Sequence, residues 1–167
     1  MSSAQLWRSV DARPDVKLAR VDRADIPDLW PTIAPLLEIA LERAPSDLTI
    51  GTLLKRVMEG RVTIYVIYDR GNSVAVFAAG MQGDGAAEIF VLAGDRLDDW
   101  LVEAADQFSR LVGMMGASVL RMGGRKGWLK PLLAAGFVFV GWEDDRVLME
   151  RSVADWYGSG RSKYGPH

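Results

Sequence analysis

The chain has 167 residues, 49% apolar and 25% charged, with a net charge of −2 and a pI near 5.4. This is the composition of one globular domain with a real core rather than of a disordered chain, and its mild acidity gives no electrostatic reason to hold nucleic acid or an anionic membrane. There is no cysteine and the one histidine is His167, so disulfides, thiolate chemistry, histidine-based triads and histidine-ligated zinc are excluded, no metal is expected, and acid–base chemistry falls to carboxylates, tyrosines, lysines or bound water.

Residues 1–15 are polar, contain Pro14 and read as an N-terminal arm. Val16 to Val21 alternates as a first strand. Asp22 and Asp25 offer helix N-caps, and Leu29, Ile33, Leu36, Leu37, Ala40 and Leu41 form a helical stripe that ends at Arg43 and is expected to kink at Pro35. Pro45-Ser46-Asp47 restarts the chain into a second helix carrying Leu53, Leu54, Val57 and Met58, stopped by Gly60. Val62–Tyr68 and Val74–Met81 read as a hairpin across Asp69-Arg70-Gly71-Asn72-Ser73.

The stretch from Ala86 to Gly116 organises the rest. Ala86–Ala93 has the apolar run of a strand buried on both faces. A short acidic turn then leads into a helix whose apolar positions Leu97, Leu101, Ala105, Phe108 and Val112 recur at steps of three and four, with Gly116 as its stop. Such a strand-to-helix connection is where α/β proteins place anionic ligands.

After that helix Ser118–Met122 reads as a short strand and Gly123-Gly124-Arg125-Lys126-Gly127 as a flexible basic loop, a candidate anion nest together with Arg121. Trp128–Ala135 is a short helix ended by Gly136, and Phe137–Trp142 with Arg146–Glu150 is a last hairpin. Residues 152–167 form a Gly- and Ser-rich tail whose aromatics Trp156, Tyr157 and Tyr164 suggest docking on a protein partner or on a second copy in a homo-oligomer. The domain proper is thus 16–151. No signal peptide or membrane-spanning run is read, and a cytoplasmic location is expected.

This order, β-α-α-β-β-β-α-β-α-β-β, predicts a mixed α/β fold with a mostly antiparallel sheet flanked by helices. Together with Ala87-Glu88-Ile89-Phe90 before the long helix and Gly136-Phe137 after the short one, it resembles the GNAT acyltransferase superfamily from about Val16 to Arg151. Gly124-Arg125-Lys126-Gly127-Trp128 with Gly136-Phe137 is similar to small GNAT-like proteins of tailed phages. The resemblance implies direct transfer of an acyl group from acetyl-CoA or another acyl-CoA to an amine. It implies Glu88 as general base and Gly94, Arg96 and Leu97 as the residues under the pyrophosphate. Arg125 and Lys126 are a second candidate phosphate contact.

Several residues depart from the family pattern. The phosphate loop, Arg/Gln-x-x-Gly-x-Gly/Ala in active members, here reads Gly94-Asp95-Arg96-Leu97-Asp98-Asp99, without the glycine pair and with two acids facing the phosphate position. Leu132 stands where the family carries a proton-donating tyrosine. Two expectations follow. One is a structural or interaction module with a degenerate acyl-CoA site and no cofactor, encoded by a phage and carried in a virion or acting as an accessory protein. The other is an active transferase for an unknown amine.

Overall fold

The computed structural model describes residues 15–43 and 46–153. The candidate tail aromatics Trp156, Tyr157 and Tyr164 lie outside the described residues. Strands β1 (Val16–Arg20), β2 (Thr63–Asp69), β3 (Asn72–Met81), β4 (Ala86–Gly94), β5 (Val119–Arg125), β6 (Val138–Glu143) and β7 (Arg146–Ser152) form one sheet in the order β1-β2-β3-β4-β5-β7-β6. Every neighbouring pair is antiparallel except β4 with β5. Helices α1 (Ile26–Arg43), α2 (Ile50–Met58), α3 (Leu97–Met114) and α4 (Leu129–Ala134) complete the mixed α/β architecture expected from the sequence.

Alternation along the strands divides the interior into two cores, one on each face of the sheet. Ile33 and Leu37 of α1 and Leu53 and Val57 of α2 meet Ile64, Val76 and Val91 on one face. Trp100, Leu101, Phe108 and Val112 of α3 meet Tyr65, Phe77 and Leu120 on the other. There Tyr65 stacks on Phe77 at 5.1 Å, and Phe108 stands edge-on to both. The edge strand β1 is fastened from above: Leu18 N–H donates to Gln107 Oε1 at 3.1 Å, and Gln107 Nε2 donates to the Val16 carbonyl at 2.7 Å.

Helix α1 is continuous over 18 residues through Pro31 and Pro35, with Pro27, Pro31 and Pro35 recurring every four residues on its exposed face. The structure corrects two expectations. First, Asp22 precedes a short 3-10 turn, Arg23–Asp25, and makes no side-chain cap. Second, Gly123, Gly124 and Arg125 are not a flexible loop but the end of β5, paired with Leu148, Val147 and Arg146. Gly124 is required by close approach, since a Cβ there would lie 2.8 Å from the Trp128 ring, while at Gly123 a Cβ would meet the Arg146 guanidinium at 2.6 Å and displace it. At the far end β7 continues to Ser152, and Val153 is fully buried with its N–H donating to Ser118 O at 2.9 Å.

Candidate functional site

The parallel pairing of β4 with β5 lasts only from Ala86–Ile89 against Val119–Met122. It stops where β4 bulges. Ala79 faces Ile89 while Ala78 faces Val91, so Phe90 is the extra residue and β4 is re-aimed beyond it. The gap between the C-terminal halves of the two strands opens into a cavity of about 560 Å³. Leu92, Ala93, Gly94 and Asp95 line it from β4 and its exit, Arg125 from the end of β5, Trp128 from the 3-10 turn after it, and residues of β2 and β3 from the sheet beneath. Its long wall is α1. The sequence places Leu29, Ile33, Leu36, Leu37, Ala40 and Leu41 on one stripe, but of these only Ile33 and Leu37 are fully buried, while Leu29 and Leu36, with Ile39 from outside the stripe, face the cavity. The signal was an apolar arc wider than one packed face needs.

The connection from β4 to α3 is two residues long, Asp95 and Arg96. Arg96 takes a left-handed conformation, φ 54°, to make so tight a turn. The turn is tied down from within: the indole N–H of Trp100, 2% exposed, donates to the Asp95 carbonyl at 2.9 Å. Gly94 is needed for that packing, since a Cβ there would lie 2.7 Å from Ala75 Cβ and 3.1 Å from the Trp100 ring. Leu97 is buried in the α3-side core. Arg96 is exposed and sits 4.0 Å from the Asp99 carboxylate. Gly94, Arg96 and Leu97 therefore each do a packing or capping task, and of the three only Gly94 lines the cavity.

Glu88 lies in the paired stretch of β4, across from Gly80 on one side and Arg121 on the other. Its neighbours Ala87 and Ile89 enter the α3-side core, so its carboxylate projects from the opposite face. Arg121, from which an anion nest was expected, is committed to acids: its guanidinium donates to Glu150 at 3.0 Å and to Asp84 at 3.2 Å. Burial pushes the Glu88 carboxyl above its ordinary value, and Arg121 and Arg146 pull part of the way back. The folded chain thus holds this proton more tightly than the unfolded one. The ionised form costs stability above the folded pKa, and that cost vanishes as pH falls below the unfolded value. Glu88→Gln is accordingly expected to raise the thermal midpoint at about pH 7 and to leave it unchanged below about pH 4; a midpoint lowered at neutral pH would mean that Arg121 needs the charge.

Arg125 and Lys126 diverge. The Arg125 guanidinium lies 5.5 Å from the centre of the Trp128 ring at the cavity, whereas the Lys126 ammonium lies 5.5 Å from the Trp142 ring on the exposed last hairpin. Leu132, at the position of the family tyrosine, is fully buried in the α3-side core. Tyr68 lines the cavity and Tyr65 is held in the aromatic cluster.

A sheet that splits between two parallel central strands, with a bulge at the split and a long helix leaving the first strand, is the fold of the GNAT acetyltransferases. The particular likenesses are with solved acetyltransferase structures. The aminoglycoside 6'-acetyltransferase type Ii superposes with a TM-score of 0.61 at 14% identity, over 82% of this chain and 97% of that one. Spermidine N-acetyltransferase from Vibrio cholerae, in complex with CoA and spermine, gives 0.60 at 11% identity over 86% and 99%. An N-acetyltransferase from Thermoplasma acidophilum in complex with coenzyme A gives 0.55 at 10% identity over 82% and 98%. At these identities the likeness concerns the fold. The sequence matches no family model and no curated protein sequence. Among the described residues no helix is long and apolar enough to cross a membrane.

Proposed function

We propose that this chain is a GNAT-fold binding module in which the acyl-CoA phosphate cradle has been given over to packing. The observation that carries this reading is the two-residue β4–α3 connection fastened by Trp100 to Asp95. A pyrophosphate needs several free N–H groups on a glycine-lined turn. Here the Asp99 N–H donates to the Arg96 carbonyl at 2.9 Å, and Asp98 and Asp99 bring negative charge to the first turn. Leu132 supplies no proton for a leaving thiolate. Titration calorimetry of the full chain with acetyl-CoA is expected to show no binding at millimolar cofactor. Asp98→Gly with Asp99→Gly is expected to gain none, because the turn stays short. Micromolar binding by the parent would overturn the reading, and binding gained in the variant would make the acids, not the turn, the block.

One observation favours the alternative of an active N-acyltransferase on an unknown amine, namely the half-buried Glu88 with its raised pKa beside the β4–β5 split. Release of CoA from acetyl-CoA in the presence of small amines, lost in Glu88→Gln, would select it. The resemblance to tailed-phage proteins extends the module reading to a virion or accessory protein that meets its partner through Trp156, Tyr157 and Tyr164. Truncation after Val153 should then abolish assembly while leaving the thermal midpoint in place; assembly that survives would remove the tail from the account.

A further inference from the structure

The cavity in the β4–β5 split has a chemistry of its own, whether or not a thioester ever enters it. Its α1 wall carries Leu29, Leu36 and Ile39, which are 41%, 50% and 47% exposed. Large apolar side chains left open to solvent in one line mark a binding surface more than a packing remnant. The floor is equally apolar, with Val74 and Val76 from β3 and Leu92 from β4. Charge is confined to three lining residues: Arg43, the last residue of α1, Arg125, the last of β5, and Asp95. Two guanidiniums against one carboxylate leave an excess of positive charge in an otherwise oily groove.

The shape is equally selective. From Leu29 to Arg43 the helix rises about 21 Å, fourteen residues at about 1.5 Å each. A volume of about 560 Å³ lies within the range that takes one small molecule. A long apolar wall that ends in a cation fits a ligand with a single alkyl chain and an anionic head. Arginine presents a planar fork that matches a carboxylate with two parallel hydrogen bonds, and it keeps its charge in apolar surroundings. Trp128 holds the Arg125 guanidinium at 5.5 Å from its ring, so that part of the fork's freedom is already removed.

We propose that this cavity binds a single-chain amphipathic carboxylate of the medium-chain fatty acid class. The head rests on Arg125 and Arg43, and the alkyl chain lies along Leu29, Leu36 and Ile39. The assignment goes beyond the module reading and does not depend on it, because the acetyl-CoA titration reports on the β4–α3 turn and not on this wall.

The test is calorimetric titration of the full chain with dodecanoate below its micelle concentration, alongside dodecyltrimethylammonium and dodecanol. One dodecanoate per chain is expected, bound about tenfold or more tightly than either companion, with a loss of about tenfold in Arg125→Gln and in Arg43→Gln. Leu36→Glu should abolish binding. Arg43 is exposed at a helix end, so its variant folds and carries the test even if Arg125→Gln does not. Equal binding of the three amphiphiles, affinity unchanged in Arg43→Gln, or no dodecanoate binding would each overturn the proposal. Capture of the protein by phosphatidylglycerol vesicles without binding of monomeric dodecanoate would overturn it too, and would place the anion in a membrane.

Discussion

Trp100→Ala is expected to cost about 3–5 kcal/mol of folding stability, the usual loss for deleting a fully buried large aromatic. Three contributions combine at this position. The indole is 2% exposed in the α3-side core, it packs on Gly94 of β4, and its N–H satisfies the Asp95 carbonyl. Removing it leaves a cavity and an unanswered carbonyl at the same place. Urea denaturation is the direct measurement, and a loss under about 1 kcal/mol would mean that the turn holds without the indole. The variant also bears on function. It loosens the turn but leaves it two residues long, so acetyl-CoA binding should not appear. If it does appear, Trp100 alone was closing a competent phosphate site.

Arg151→Met is expected to cost about 2 kcal/mol, through the acid it leaves unpaired and the hydrogen bond to Ala135 it loses, the partial exposure of Asp106 screening the first. The Arg151 side chain is 12% exposed and ties three elements together. One guanidinium nitrogen pairs with Asp106 of α3, and another donates at 3.0 Å to the carbonyl of Ala135, just past α4, while the backbone belongs to β7. Without it the half-buried Asp106 carboxylate on α3 loses the guanidinium paired with it. Adding Asp106→Leu should therefore recover more than half of the loss, as replacing both members of a buried pair by apolar groups commonly does. A double variant no more stable than Arg151→Met would place the cost in the Ala135 contact instead.

The same contrast between local pattern and distant partner explains what could be read from the chain. Strands β2, β3 and β4 and helix α3 declared themselves through period and through β-branched or apolar runs, because burial against a sheet imposes those periods on any sequence that satisfies it. The mixed sheet followed from their order. Gly123 and Gly124 were misread because glycine signals either a loop or a strand crossed closely by something else. The crossing groups, Arg146 and Trp128, come from elsewhere in the fold. The division of α1 into a buried side and a cavity wall was equally hidden, since both are apolar and only the packing of the helix over the sheet separates them.

Among the site residues, the sequence alone determined that the glycine pair was missing, that two acids stood in the first turn of α3 and that Leu132 stood in place of a tyrosine. These are identities, legible in the chain itself. Where the polar groups come to rest was decided by the tertiary structure: Trp100 fastened to Asp95, Arg121 bound between Glu150 and Asp84, and Arg43 and Arg125 brought to one oily cavity. Each of the last two sets brings together residues at least 29 positions apart in the chain. No local period encodes such a meeting; only the assembly of distant strands and helices into one fold produces it.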